Sequence, residues 1–272
     1  MATSLKDLFG VDKPVIGMVH LLPLPGTPLY DESKGISGII EAVYQDVLAL
    51  QQGGVDAVLF GNEGDRPYRI CAGPETVAVI TRVITEMRSK LSVPFGVDVL
   101  WDPKASIAVA KATGACFVRE VFTNVYAGDL GLWITNCAEV LRYRRLIDAE
   151  NVKLFFNINA EFVAPLAPRP LFTVVKSVIF SSLPDAICIS GPMTGQEANL
   201  SDLQEAKEGA GDIPVVANTG VKLDNVEAIL EIADGCIVGT AFKREGITWN
   251  PVDVRRVQSF MDKVISIRSI ST

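Results

Sequence analysis

Eight short apolar runs recur along this chain at intervals of roughly 30 to 40 residues, and almost every run leads directly into a cluster of Gly, Asp, Asn or Glu. The runs begin near positions 14, 55, 94, 115, 152, 185, 214 and 235. Each is short enough to be a strand buried on both faces, and the segments between them are amphipathic and of helix length. Eight repeats of strand and helix predict an α/β fold, the (β/α)8 or TIM barrel, in which functional residues lie where strands end and the following loops begin.

The length and apolar content of the chain agree with one barrel. A chain of 272 residues that is 49% hydrophobic can bury a large core, and barrels of this size fold as one domain. We find no linker and no shift in composition, so a single domain is predicted over residues 1–272. The proline-rich stretch at residues 165–170 predicts a long, stiff loop after the fifth strand.

Charge and hydropathy patterns argue against several partners. The net charge is −7 and no block of Lys or Arg is present, which disfavours nucleic acid as a partner. No apolar stretch is long enough for a membrane span, and charges at Lys6, Asp7 and Asp12 interrupt any signal-peptide core, so a cytoplasmic location is expected. The apolar segment 171–183 predicts either a homo-oligomer contact or a buried barrel helix.

The last two strands end in small residues that would let backbone N–H groups approach an anion. Paired ends of this kind are typical of barrels that bind a phosphorylated ligand. The predicted phosphate-binding residues are Asn218, Thr219 and Gly220 after strand seven, and Gly239, Thr240 and Lys243 after strand eight. Alternatively, the glycines only permit tight turns and Lys243 is solvated.

Three ionisable residues are candidates for proton transfer. His20, the only histidine, ends the first strand, where it would titrate near neutral pH or serve as a structural group. Asp98 lies within an apolar run, and an ionised carboxylate there is costly unless it is paired or functional. Glu120 follows Arg119 in strand four, so the two side chains point to opposite faces and at most one enters the barrel lumen.

Amide and hydroxyl side chains near other strand ends are candidates for binding sugar hydroxyls. These are Asn62, Asn157, Asn159 and Ser190, although turn and loop hydrogen bonds would also explain them. Asp102, just before Pro103, is better explained as the N-cap of a helix.

Metal and Schiff-base chemistry are limited by the residues available. One histidine and five cysteines without metal spacing exclude a histidine-rich site, so a metal would need oxygen ligands. Glu63, Asp98 and Glu120 would suit Mg²⁺ or Mn²⁺, which we keep as an option rather than a required cofactor. No lysine ends a predicted strand, which disfavours a Schiff base and favours acid–base chemistry or plain binding.

Several long segments together resemble the BtpA/SgcQ family. They include GMVHLLPLPG at 17–26, GGVDAVLFGNEGDRPY at 53–68, PFGVDVLWDP at 94–103, FVREVFTNVYAGD at 117–129 and VANTGVKLDNVE at 216–227. Residues 157–162 read NINAEF, without the Lys and His that photosystem-associated members carry there, so the chain is more similar to the SgcQ branch.

The resemblance implies a TIM barrel of the ribulose-phosphate-binding kind. It also implies a link either to sugar-phosphotransferase gene clusters, as in the SgcQ branch, or to photosystem I biogenesis, as for the family's namesake. Together with the residues above, it favours an enzyme that isomerises or epimerises a phosphorylated sugar or related metabolite. The alternatives are an enzyme of nucleoside or glycosyl-phosphate chemistry and a non-catalytic assembly factor.

Overall fold

The computed structural model describes residues 4–270 and contains the predicted closed barrel of eight parallel strands. The barrel strands are β1 (Val15–His20), β2 (Ala57–Gly61), β3 (Phe95–Asp98), β4 (Phe117–Glu120), β7 (Lys153–Asn157), β9 (Ala186–Ile189), β10 (Val215–Ala217) and β11 (Gly235–Val238). β1 pairs in parallel with both β2 and β11, which closes the cylinder. Residues 1–3 and 271–272 of the predicted domain lie outside the described range.

A small antiparallel sheet, not expected from the sequence, stands on the loops that follow β4 and β7. Its strands are β5 (Val125–Gly128), β6 (Gly131–Ile134) and β8 (Val163–Pro165), in the order β6–β5–β8. The predicted stiff loop at 165–170 therefore begins as the end of a strand. Trp101, Tyr126 and Trp133 pack together beneath this sheet in a separate apolar cluster. The sheet thus has a core of its own beside the mouth of the barrel.

The helices alternate with the barrel strands, as the sequence predicts. They are α1 (Leu5–Phe9), α2 (Gly35–Gly53), α3 (Pro74–Met87), α4 (Pro103–Thr113), α5 (Cys137–Leu146), α6 (Leu171–Ser182), α7 (Leu200–Ala210), α8 (Val226–Ile232) and α9 (Val254–Ile270). α6 buries Val174, Val175 and Val178 but leaves Phe180 exposed. Within residues 4–270, no helix has both the length and the apolar content that a membrane crossing requires.

Alternate residues of each barrel strand form two apolar layers. Met18, Leu59, Phe117 and Phe155 fill the lumen, while their sequence neighbours pack against the helices. α1 closes the amino-terminal end, where the ring of Phe9 meets that of Phe117 edge-on at 5.5 Å between centroids. Because side chains alternate along a strand, the parity that buries Phe117 in the lumen also directs Arg119 there and turns Glu120 away.

Candidate active site

A cavity of about 300 Å³ opens at the carboxyl end of the barrel strands. This is the end at which TIM-barrel enzymes place their active sites. Loops after six of the eight barrel strands contribute to its lining, and the base is formed by lumen residues such as Met18 and Ile237. The cavity volume lies at the lower end of the range for small-molecule sites.

Five of the predicted phosphate-binding residues line one wall of this cavity: Asn218, Thr219, Gly220, Gly239 and Thr240. The loops after β10 and β11 are therefore adjacent, as the sequence predicts. Within residues 4–270, the backbone N–H groups of Gly220, Val221, Thr240 and Ala241 have no hydrogen-bond acceptor. Four amides without acceptors in two adjacent loops form a surface on which an oxyanion can be bound, and we call this surface the amide wall.

Glycine is required at Gly220 and fits closely at Gly239. Gly220 has φ +64°, and a Cβ there would lie 2.1 Å from the backbone nitrogen of Glu197. A Cβ on Gly239 would lie 3.1 Å from the His20 imidazole. The two glycines thus allow the loops to approach Glu197 and His20 closely, in addition to shaping the turns.

Lys243 does not line the cavity, contrary to the sequence prediction that it would contribute charge to the phosphate site. Its side chain is buried, and Nζ donates to Oδ2 of Asp46 on α2 at 2.6 Å. A buried Asp46 needs a cationic partner, which explains this orientation. The cationic side chains that do line the cavity beside the amide wall are Lys222 and Arg256.

His20 and Glu63 form a buried acid–base pair in the same cavity, and His20 lies next to Gly239. Nε2 of His20 lies 3.5 Å from Oε1 of Glu63, and both residues line the cavity. Burial, with the negative charge of Asp98, raises the pKa of Glu63 to about 8. Burial, with the positive charge of Lys243, lowers the pKa of His20 well below its usual value. Near neutral pH, a largely protonated carboxyl therefore lies beside a neutral imidazole.

Arg119 enters the lumen, as strand parity allows, and is held between two carboxylates. One Nη donates to Asp98, and the other lies 3.7 Å from Oε1 of Glu161. Thr194 donates to Oε2 of Glu161 at 3.0 Å. Burial raises the pKa of Glu161, while the positive charge of Arg119 opposes that shift. Arg119 and Glu161 both line the cavity and place charge next to Glu63.

Asp98 and Glu120, two of the three predicted catalytic residues, do not line the cavity. Asp98 is fully buried and bonds to Arg119. Glu120 faces α4, where its Oε1 accepts from Ser106 Oγ at 2.9 Å. Burial and the charge of Asp98 raise the pKa of Glu120 well above its usual value. Asp98 therefore contacts Arg119, and Glu120 contacts α4, and neither lines the cavity in which a ligand would bind.

The predicted oxygen ligands for Mg²⁺ or Mn²⁺ do not form a cluster. Among residues 4–270, no group of three or more His, Cys, Asp or Glu side chains is arranged to hold a metal ion. Asp98 is engaged by Arg119, and Glu120 by Ser106.

Most of the predicted hydroxyl-binding side chains hold the loops together instead. Asn218 Nδ2 donates to Ser190 Oγ at 2.7 Å, and Ser190 Oγ donates to Asn157 Oδ1 at 2.9 Å. Asn159 exchanges two hydrogen bonds with the backbone of Ser190. Asn62 bonds to the Asp65 carboxylate and accepts from the backbone of Leu100.

Of these residues, only Asn218 lines the cavity that contains His20 and Glu63. Asn159 and Ser190 instead line a second cavity of about 860 Å³, between the small sheet and the start of α7.

Several residues that line the cavity were not among the sequence candidates for catalysis or substrate binding. They are Glu63, Tyr68, Trp101, Arg119, Glu161, Thr194, Lys222 and Arg256. Glu63 lies in the polar cluster after β2 and Glu161 in the one after β7, so the location of both at strand ends was a usable signal. Tyr68 and Trp101 gave no such signal, because their positions depend on packing under the small sheet.

Solved structures with this fold include several barrel enzymes. Thiamine phosphate pyrophosphorylase from Pyrococcus furiosus is 16% identical, with a TM-score of 0.56 over 97% of this chain and 99% of that one. Phosphoribosyl anthranilate isomerase from Thermococcus kodakaraensis is 14% identical, with a TM-score of 0.56 over 93% and 98%. Dihydropteroate synthase from Xanthomonas albilineans gives a TM-score of 0.60 at 14% identity, over 96% and 93%. Identities this low support the barrel fold alone.

Sequence relatives agree along nearly the whole chain. The sgc region protein SgcQ of Escherichia coli is 47% identical over 97% of this chain and 98% of its own length. The photosystem I biogenesis protein BtpA of Synechocystis sp. is 34% identical over 95% and 90%. The sequence pattern of the BtpA family matches residues 11–266. The chain therefore belongs to the BtpA family.

Proposed function

We propose that this protein is an enzyme that isomerises or epimerises a phosphorylated sugar or a related small metabolite by proton transfer. The observation that carries the proposal is that one cavity joins two dissimilar surfaces. Backbone amides without acceptors form one wall, and the Glu63–His20 pair adjoins that wall, with the His20 imidazole next to Gly239. A substrate bound by its phosphate on the first surface would extend its carbon chain toward the second.

The amide wall supports the phosphate part of the proposal. Gly220, Val221, Thr240 and Ala241 supply donors, and the Lys222 side chain adds positive charge at the rim. Backbone N–H groups suit a phosphate because they bind it without requiring a buried cation. Two of the structural neighbours carry the names of phosphorylated compounds, thiamine phosphate and phosphoribosyl anthranilate, which is consistent with this assignment.

The acid–base pair supports the proton-transfer part. A carboxyl with a pKa of about 8 ionises close to neutral pH, which is the condition under which a general base can both accept and return a proton. In an isomerisation, Glu63 removes a proton from the carbon beside a carbonyl group and returns it to the adjacent carbon, while His20 moves the hydroxyl proton between the two oxygens. An epimerisation would need a second acid to return the proton on the opposite face of the substrate. Neutral His20 donates a hydrogen bond to the carbonyl oxygen, and Arg119 stabilises the negative charge that develops there.

A second candidate is a non-catalytic assembly factor. It is favoured by the 34% identity to the Synechocystis photosystem I biogenesis protein. That function would use the surface of the barrel and would not require the cavity to bind a phosphorylated ligand. Binding of a metabolite therefore distinguishes the two candidates.

Thermal unfolding with a panel of sugar, nucleoside and glycosyl phosphates tests whether the protein binds a phosphorylated ligand. Stabilisation should rise with concentration, by about 2.7 kcal/mol at a hundredfold excess over Kd. Gly239→Asp adds a carboxylate to the amide wall beside His20 and should abolish the shift. Lys222→Glu reverses the charge of an exposed side chain beside the amide wall and should weaken the shift. The matched control Ser266→Asp adds the same charge on the exposed face of α9 and should leave the shift unchanged.

Turnover is measured by exchange in D₂O. A compound that stabilises the protein should incorporate deuterium at the carbon beside its carbonyl group, as detected by NMR, and Glu63→Gln should stop the exchange. No stabilisation by any member of the panel would contradict the proposal and favour an assembly factor. Stabilisation without deuterium exchange would show that the protein binds the ligand but does not isomerise it.

A further inference from the structure

Four residues that line the cavity each carry a buried polar atom without a hydrogen-bond partner among residues 4–270. These atoms are Nδ1 of His20, Oε2 of Glu63, Nε1 of Trp101 and Nε of Arg119. We call the part of the cavity lined by Glu63, Trp101 and Arg119 its floor. A buried polar atom without a partner costs about 1–3 kcal/mol, so a native protein retains several of them together only where something else satisfies them.

The floor also has more carboxyl groups than cations. Glu63, Asp98 and Glu161 surround Arg119, and the last two already engage its Nη atoms. Two carboxylates therefore already offset the positive charge of Arg119 and leave little of it for an anionic ligand. Its Nε has no partner among residues 4–270 and can donate to a ligand. The cationic side chains Lys222 and Arg256 lie instead beside the amide wall, so the two ends of the cavity differ in charge.

We infer that the floor is a subsite for uncharged hydroxyl groups, so that the ligand carries a single phosphate and a neutral, hydroxylated remainder. This inference rests on the proposed function, because it assumes that the phosphate occupies the amide wall. A hydroxyl group both donates and accepts, so neighbouring hydroxyls can satisfy the donors on Arg119 and Trp101 and the acceptor on Glu63.

Ligands with a charged remainder fit the floor less well. A carboxylate or a phosphate dianion only accepts hydrogen bonds, and its negative charge would lie near Asp98 and Glu161, the two carboxyl groups that already face Arg119. An ammonium group only donates, so it would leave the donors on Trp101 and Arg119 without acceptors. The floor therefore selects against a second anion, which many phosphorylated metabolites carry.

Titration calorimetry with matched ligands tests this selection. Aldose and ketose monophosphates are each compared with the phosphorylated aldonic acid of the same carbon skeleton, and inorganic phosphate serves as the probe of the amide wall alone. The neutral member should bind at least about tenfold more tightly than its acid, which is the scale of one lost charged hydrogen bond. Inorganic phosphate should bind more weakly than the preferred sugar monophosphate.

Trp101→Phe tests the floor directly, because it retains the ring and removes the N–H. Affinity for the preferred sugar monophosphate should fall about three- to tenfold, while affinity for inorganic phosphate stays unchanged. Trp133→Phe is the matched control, since Trp133 packs against Trp101 without lining the cavity. It should change neither affinity.

The outcomes separate this inference from the proposed function. If no phosphate compound binds, inorganic phosphate included, the proposed function itself fails. If phosphate compounds bind but the aldonic acids bind as tightly as their neutral partners, only the hydroxyl subsite is overturned. The hydroxyl subsite would also be overturned if Trp101→Phe lost affinity equally for the sugar monophosphate and for inorganic phosphate. The tryptophan would then affect the whole cavity.

Discussion

At the scale of single residues, environment separates carboxyl groups that look alike in the sequence. Burial raises the pKa of Asp98, but the charge of Arg119 and its hydrogen bond oppose that rise. Glu63 has no cationic partner in contact and lies beside His20, and burial raises its pKa to about 8. Glu63 thus lines the cavity with a pKa close to neutral pH, although Asp98 is the more conspicuous carboxyl in the sequence.

The raised pKa of Glu63 predicts a particular pH dependence of stability. Its ordinary value is 4.5 and its folded value about 8, so the unfolded chain loses this proton first as the pH rises. The stability that the neutral carboxyl provides is complete below pH 4.5 and is lost as the pH rises to about 8. Relative to Glu63→Gln, which cannot ionise, the wild-type free energy of unfolding should fall by up to about 1.4 kcal/mol per pH unit across that window.

Urea unfolding of both proteins at several pH values measures this difference. A difference that stays constant from about pH 5 to about pH 8 would show that Glu63 has an ordinary pKa in the folded protein, and the acid–base assignment would lose its basis.

At the scale of elements, the loops at the carboxyl ends of the strands are held by side chains that cap and cross-link them. Asp102 accepts from the backbone N–H groups of Lys104 and Ala105 at the start of α4, as the sequence predicts. Its second oxygen accepts from the N–H of Ala72 in the loop after β2. One carboxylate therefore starts a helix and also fixes a neighbouring loop near Trp101.

Substitution of Asp102 separates these two contributions. Asp102→Ala should lower the free energy of unfolding by about 1–2 kcal/mol, because the cap is lost. Asp102→Asn keeps an oxygen that can cap the helix but replaces the acceptor for Ala72, so its loss should be smaller. Chemical denaturation at neutral pH compares the three proteins. If Asp102→Ala were as stable as the wild type, the assignment of Asp102 as the N-cap of α4 would be wrong.

At the scale of the whole molecule, the first and the last barrel strands meet to close the barrel. β1 pairs with β11, and Arg268 of α9 bonds to Asp56 in the loop before β2. The buried pair between Lys243 and Asp46 joins residues that are 197 positions apart. Asp46 also accepts from the backbone of Val252 at 2.7 Å, so α2 holds the segment that leads from β11 to α9.

Lys243→Met tests whether this lysine serves closure or ligand binding. Removing one partner of a buried pair should lower the free energy of unfolding by about 3–5 kcal/mol, and the double variant Lys243→Met with Asp46→Leu should recover part of it. Affinity for inorganic phosphate, measured at low temperature where the single variant is folded, should be unchanged. A large loss of phosphate affinity with little loss of stability would instead assign Lys243 to the anion site.

The sequence by itself determined the barrel and the two loops of the amide wall. Short apolar runs at regular spacing identify strands because a strand buried on both faces has to be apolar throughout. The small residues of 218–220 and 239–240 mark the loops that approach each other, since adjacent strands of a parallel barrel end on the same side. The family was also evident, from long matching segments distributed over the chain.

Only the tertiary structure decided which polar side chains face the cavity. Strand alternation places Arg119 in the lumen but does not show that Arg119 then separates Asp98 from the cavity. The partner of Lys243 lies on a helix 197 residues away, and the small sheet is built from strands too short to give a clear period. Local pattern sets the face on which a side chain lies, whereas its partner depends on how distant segments pack once the barrel has closed.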